Sequence, residues 1–329
     1  MNFDLTLPQI EMRNALRDML RSVCTPSIVR RAWQADANQA VVSELLRHLA
    51  SMGVLGILAP AEFDGLGGDE IDLAVLMEEC GRFAVPGPLA EHAAIGVPAL
   101  AAAAHPQAAA AAVGATVVTA LEPGRGRVAF AQLSDLCILV ADSSLSLPGE
   151  WRVDAEVDLV DNSLRSALIG VRAREPLARF DATMAVNRAA LAIAAQLLGL
   201  AEQVIHMTVG YVKSRTQFGV PIGSQQAIKH TLASALIALE HARPVVYRAA
   251  YALAHREPDS SRDVSFAKVY AYRAAHAAAR SSLQSHGAIG YTWEHDLHLW
   301  MKRIWSLAPA WGTIAEHERR VADSILVPA

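Results

Sequence analysis

Three long helical segments near the end of this sequence, and the different texture just before them, limit the folds open to it. Over about 184–214, 224–256 and 262–286 apolar residues recur at the helical period, and shorter segments of the same pattern follow near 293–305 and 312–325. A helix of about 30 residues runs roughly 45 Å, which is the length of a bundle domain. Ahead of the bundle, between about 115 and 180, stand short β-prone runs: Val117–Ala120, Arg127–Ala131, Leu136–Val140 and Ala167–Val171. Gly, Pro, Asp and Ser separate them, as in a small sheet domain. Residues 1–112 read as helical once more. Leu7-Pro8 opens a segment with Met12, Leu16, Met19, Leu20 and Val23 on one face. Val41–Met52 and Ile71–Cys80 repeat that pattern on either side of the breaker-rich Pro60…Gly68, and Pro86-Gly87-Pro88 turns the chain into an alanine-rich helix. The expected fold is therefore mainly α with a small β insert: a helical domain over 1–112, a β domain over 113–180 and a helical bundle over 181–329.

Composition removes several functions. Lys plus Arg is 29 against 33 for Asp plus Glu, a formal charge of −4. That balance has no polybasic footprint and argues against a nucleic-acid partner. Cys24, Cys80 and Cys137 are scattered and unpaired in sequence, which reads as reduced thiols of a cytoplasmic protein. Hydrophobic residues make up 53% of the chain, which raises the question of a membrane. The most apolar stretches are residues 93–104, ending at His105-Pro106, and Ala189–Ala201 between Arg188 and Glu202. Neither reaches the roughly 18–20 uninterrupted residues of a spanning helix, so packed helices and an oligomer interface are expected instead.

The motif with most chemistry in it is Tyr211-Val-Lys-Ser-Arg215-Thr-Gln217-Phe218-Gly219-Val-Pro221-Ile222-Gly223-Ser-Gln-Gln226. Alone, its Arg-x-Gln-Phe-Gly core is an ordinary helix end with Gly as the stop. About 70 residues further on comes Gln284-Ser-His286-Gly287-Ala288-Ile-Gly290-Tyr291-Thr-Trp293-Glu294-His295-Asp296-Leu-His298. His295 and His298 at i, i+3 could be read as metal ligands, but the whole stretch has a better explanation below. Gly65–Gly68 lacks the GxxxxGK[ST] pattern and a preceding strand, so it reads as a turn and not as a phosphate loop.

Together the two motifs resemble those of the acyl-CoA dehydrogenase family, with Gln225 in place of the usual aromatic and Ala288 in place of a glycine. The N-terminal Pro60…Gly-Leu-Gly-Gly68 loop also matches. The resemblance implies an N-terminal helical domain, a β domain and a C-terminal four-helix bundle. It also implies FAD as cofactor, an acyl-CoA thioester as substrate, and α,β-dehydrogenation as the reaction. In the family FAD lies across a subunit interface, its pyrophosphate and adenine held by the neighbouring chain. On that pattern Arg215 takes the pyrophosphate, since a guanidinium is always charged and binds oxygens bidentately. Gln217 hydrogen-bonds, Phe218 offers its face near the adenine, and Gln284 with the Gly287–Gly290 turn brings backbone close to the dinucleotide.

The reaction also needs a carboxylate to take the α-proton, and the family places it at either of two positions. The first falls 21 residues beyond Gly290, before Gly312-Thr313, and is Trp311; the second falls 26 residues before Arg215 and is Ala189. An indole donates but cannot accept a proton, so no catalytic residue is assigned. Glu294 and Glu316 are the nearest acids should the spacing be offset. The β domain is shorter than the family's. Leu121-Glu122-Pro123-Gly124 is a trace of its flavin loop, and Trp151 is the nearest candidate for its W-I-T strand. The features given to a neighbour's FAD are kept while those for the chain's own flavin ring are not. This resembles the short subunit of the α2β2 acyl-CoA dehydrogenases of actinobacteria, some of which act on steroid-derived thioesters. A heterotetramer with a catalytic partner subunit is the expectation. The alternatives are a self-sufficient homotetramer with a displaced base, a flavin-dependent monooxygenase, and a structural helical protein without flavin.

Overall fold

The computed structural model describes residues 3–141, 144–177 and 180–326. The N-terminal part is helical, as expected: α1 (Leu7–Val23), α2 (Pro26–Arg31), α3 (Ala35–Ser51), α4 (Glu70–Arg82), α5 (Val97–Ala102) and α6 (Ala108–Ala112). Thr6 starts α1 by accepting from the Gln9 N–H while Gln9 reaches back to the Thr6 N–H, and Asp69 and Asp72 do the same for α4. The alanine-rich segment after Pro88 begins differently from the helix its composition suggests. Ala90–Gly96 is a π-helix, and only then does α5 follow.

Five strands form a closed barrel in the order β1-β2-β5-β4-β3: β1 (Val118–Leu121), β2 (Arg127–Ala129), β3 (Leu136–Val140), β4 (Leu145–Val157) and β5 (Ser166–Leu177). Its neighbours are antiparallel except β1 and β3, which run parallel from Val118↔Leu136 to Leu121↔Leu139 and close the ring. The 13-residue β4 has no counterpart among the β-prone runs, and β5 extends well past Val171. Trp151 lies on β4 against a small barrel core of Val128, Cys137 and Ala167.

The chain then enters α7 (Ala182–Ser214), which is followed by a two-stranded hairpin, β6 (Thr216–Gln217) and β7 (Val220–Pro221). Helices α8 (Gln226–Ala254), α9 (Ser260–His286), α10 (Leu297–Leu307) and α11 (Ile314–Leu326) complete the bundle. Arg188 and Glu202 do not interrupt α7, so the expectation that no apolar stretch is long enough to span a membrane is corrected. By length and composition this helix would be, but 83% of its most apolar window is buried inside the molecule. It is the central core helix, packed on α4, α8, α9, α10 and the π-helix. At its crossing with α4 a Cβ on Gly199 would stand 1.9 Å from the Glu78 carbonyl oxygen, and one on Gly81 2.1 Å from that of Gln196. Only glycine permits these backbones to approach so closely.

Barrel and helices are joined by buried polar contacts. His92, 0% exposed, donates from Nε2 to the Ala111 carbonyl at 3.0 Å and accepts the Val118 N–H at Nδ1, also 3.0 Å. Arg303 of α10 pairs with Asp161 and donates to Ser163 Oγ (2.6 Å) and to the Val85 carbonyl (2.7 Å). A fully buried ion pair is tolerable only when its remaining donors are satisfied in this way.

Candidate functional site

The motif residues fall into two regions. The first is the bundle end where α7 stops and α9 stops. Arg215 closes α7, its N–H donating to the Tyr211 carbonyl at 2.8 Å. The hairpin that follows turns at Phe218 and Gly219, with φ of +52° and +81°, the left-handed pair of a two-residue hairpin turn. Phenylalanine is an uncommon occupant of that conformation, and its ring is 100% exposed. The Arg215 guanidinium and the Gln284 amide are also exposed and have no side-chain partner among the described residues. Gln217 bonds only the carbonyl of its neighbour Thr216. Gly287 has φ of +64° and nothing within 4 Å of a would-be Cβ, an open backbone. Gly290 differs: it is buried under Leu283 and His286, so it shapes the turn and presents no free N–H surface.

The two segments are locked to each other by rings. Tyr211 stacks on His286 at 4.3 Å and 17°, and His295 meets His286 edge-on at 4.5 Å. Burial lowers the affinity of both imidazoles for a proton. His286 donates from Nδ1 to the Ser282 carbonyl, and its Nε2 has no partner among the described residues. Arg215 and Gln284, 69 positions apart in sequence, are thus held on one end of the bundle. His295 and His298 do not converge: His295 accepts the Leu297 N–H, while His298 is buried between Trp33 and Trp293. Among the described residues no group of three or more His, Cys, Asp or Glu could hold a metal.

The second region surrounds Trp311. This residue is 2% exposed with φ of +55°, and its indole N–H donates to Glu91 on the π-helix at 2.8 Å. Its backbone N–H and that of Gly312 both donate to Glu122, each at 2.9 Å. Glu122 also pairs with Arg125, which reaches Glu316 and the Pro309 carbonyl. Behind the loop the buried Lys268 donates to the carbonyls of Ala308, Ala310 and Gly312 at 3.1, 2.6 and 3.2 Å. Burial pushes the Lys268 ammonium down to about 7, against the pull of Glu122. At Gly312 a Cβ would sit 2.4 Å from His317 Nε2, so the glycine is needed for His317 to pack there. Ala189, the other expected base position, is a 0% exposed core residue.

The structure corrects the search for the nearest acid. Glu294 lies on the exposed surface, and Glu316 is occupied as the cap of α11, accepting from the Thr313 N–H and hydroxyl. The carboxyls beside Trp311 are Glu91 and Glu122 instead. Burial raises Glu91 above the usual carboxylate range, opposed by the Trp311 N–H. Trp151 packs in the barrel core and does not line this cavity. What remains between π-helix, barrel and bundle is a space of about 80 Å³. Sites for ligands of cofactor size run to about 300–1,000 Å³. FAD, the cofactor the motifs imply, thus meets two different fits in this chain. The exposed Arg215, Gln217, Phe218, Gln284 and Gly287 suit a dinucleotide tail presented from outside. The 80 Å³ space does not suit an isoalloxazine ring; a second cleft of about 490 Å³ also borders Trp311, with a strongly charged lining that includes Glu122, Glu316, Arg319, Arg320 and Asp323.

Comparison with known proteins agrees with the motifs. Residues 11–114 match the acyl-CoA dehydrogenase N-terminal domain and 180–326 the acyl-CoA dehydrogenase C-terminal domain. The chain is 34% identical to acyl-CoA dehydrogenase IpdE2 of Mycobacterium tuberculosis over 324 residues, covering 94% of this chain and 97% of that protein. Among solved structures, a chain of the ChsE4–ChsE5 complex from Mycobacterium tuberculosis superposes with a TM-score of 0.85 at 21% identity, covering 100% of both chains. A chain of the Tcur3481–Tcur3483 steroid acyl-CoA dehydrogenase gives 0.86 at 21%, covering 97% of this chain and 98% of that one. At that identity the two structures speak for the fold alone.

Proposed function

Since this chain belongs to the acyl-CoA dehydrogenase family, we propose that it is the complementing subunit of a heteromeric, FAD-dependent acyl-CoA dehydrogenase. The observation that carries this reading is the contrast between its two half-sites. Its motif residues Arg215 and Gln284 are exposed and lack side-chain partners among the described residues, whereas the space between π-helix, barrel and Trp311 is only about 80 Å³, its indole and carboxyls bonded to one another and to the backbone. When bound, FAD takes up the hydride that leaves the β-carbon. This chain's part is to hold the cofactor's tail: Arg215 by its charge, Gln217 and Gln284 by their amides, Gly287 by an open backbone. The partner subunit supplies the α-proton acceptor and the surroundings of the flavin ring. By analogy with two-component neighbours of the same fold, one of them a steroid dehydrogenase, we read the partnered assembly as a heterotetramer acting on a steroid-derived CoA thioester. The protein would work in the cytoplasm, and we read its domains as 1–112, 113–180 and 181–329.

The test is to purify this chain alone and again after co-expression with its genomic neighbour, and to record flavin absorbance and dehydrogenase activity for each. Only the pair should be yellow and active. Arg215→Ala in this chain should weaken FAD retention by the pair about tenfold or more, the loss expected for charge-assisted hydrogen bonds. A single chain that is yellow and active would overturn the reading. It would favour a self-sufficient enzyme, with Glu91 as the acid to mutate first because its carboxyl lines the cavity.

A further inference from the structure

The 80 Å³ cavity between π-helix, barrel and Trp311 is too small for a flavin ring, but its walls are not those of an inert void. An empty packing defect is lined by hydrocarbon and stays dry. Here Glu91, Arg127, Ser166, Gln196 and Ser306 all reach the space. The Arg127 side chain has no hydrogen bond or ion pair among the described residues, and of the two carboxyls that line the cavity Glu122 is taken by Arg125 and two N–H groups while Glu91 accepts the Trp311 indole N–H. Gln196 is 4% exposed, and among the described residues its side chain makes only a long bond, 3.4 Å from Nε2 to the Ala192 carbonyl. Ser166 likewise makes only a 3.3 Å bond to the Val128 carbonyl. These are buried or half-buried donors held at a cavity with little of their hydrogen-bonding capacity used, and a buried group left so costs free energy unless a ligand or water completes it.

We propose that this cavity binds a short-chain carboxylate, with Arg127 and Gln196 holding the carboxylate head and the apolar wall of Leu164, Ile193 and Leu307 taking the alkyl tail. The size follows from the volume. A cavity of about 150 Å³ accepts a ring of six carbons, so the 80 Å³ here suits an acid between acetate and propionate. The sign of the ligand follows from Arg127, which lacks a counter-ion. Glu91 is compatible with an anion beside it because burial favours its neutral acid, whose O–H can donate to the ligand. The π-helix beneath Glu91 is a second mark of a built site, since such segments concentrate where function has displaced regular packing.

The experiment is calorimetric titration of the co-purified assembly, and separately of this chain alone, with sodium propionate, sodium acetate and the neutral isostere propionamide. Saturable propionate binding is expected, with a dissociation constant on the order of 1 mM or tighter, in line with what so few atoms can contribute. Arg127→Met should weaken it at least about tenfold. Glu91→Gln, which keeps a neutral donor in place, should bind within about threefold of the parent chain. Propionamide binding as tightly as propionate, or undiminished propionate binding by Arg127→Met, would overturn the assignment. So would no saturable binding at all, which would leave the space to water. If Arg127→Met does not fold, Arg127→Lys replaces it: retained binding supports the charge requirement, and its loss with Glu91→Gln intact assigns the fork geometry. The result does not depend on whether the chain is catalytic alone, because binding is read without turnover.

Discussion

Trp311 falls where the motif spacing expects the family's glutamate, and its surroundings give it a role of its own. Its indole is tied to Glu91, its backbone to Glu122, and its backbone sits in the left-handed region where a bulky side chain is strained. Trp311→Glu therefore should not create a dehydrogenase. The new carboxyl would face Glu91 in a buried space, and two like charges there resist ionisation. Expected is no measurable turnover by the chain alone and a loss of roughly 2–4 kcal/mol in urea unfolding, from the removed indole and the forced carboxyl pair. Turnover appearing in the variant would mean that the ring does enter this chain. Lys268→Met should cost about 3 kcal/mol in the same assay, because three carbonyls on one loop lose their shared donor. At this scale the sequence is legible where spacing carries meaning. The count from Gly290 singles out Trp311, which the fold buries in a polar cluster, and the motif singles out Arg215 and Gln284, which it exposes on one end of the bundle. Glu91 was invisible: it stands 220 positions from Trp311, and no local pattern relates them until the fold does.

Helices declared themselves by period, and those of the bundle begin and end within a few residues of where apolar spacing put them. Two elements did not. The strand β4 carries Glu150, Arg152, Asp154 and Glu156 in alternation and is largely exposed along its second half. It is held by its ladder with β5 and not by a buried face, so hydrophobic patterning could not reveal it. The π-helix over 90–96 has no side-chain code at all. The α4–α7 crossing is different, because its logic is steric and can be tested. Gly199→Ala puts a methyl into the Glu78 carbonyl and should cost more than about 3 kcal/mol, read as a fall in thermal midpoint. Gly210→Ala on the same helix meets nothing within 4 Å and should be neutral or stabilising by up to about 1 kcal/mol through helix propensity. Equal effects of the two would remove the close-approach explanation.

For the molecule as a whole, the order helices, barrel, bundle was legible because each part has its own period, whereas the joints between parts were not. His92 is the clearest joint, and it sets a pH dependence. Its lone pair at Nδ1 is needed for the Val118 N–H, and burial pushes its pKa down from 6.5 to about 4. The unfolded chain binds that proton first, so stability is complete above pH 6.5 and is lost as pH falls toward 4, by about 3 kcal/mol at most. Urea midpoints measured at pH 7 and pH 4.5 should differ in that direction, and His92→Gln should flatten the difference. An unchanged slope in the variant would assign the acid sensitivity elsewhere. The end of the bundle that carries Arg215 and Phe218 has a consequence of another kind. Its fully exposed Phe218 at the tip of a hairpin is the sort of side chain an endoprotease seeks, at a place where chains are readily cut. A docked partner would cover it, so copies made in excess of that partner would carry their own mark for removal, and lifetime in the cell would become a measure of matched synthesis.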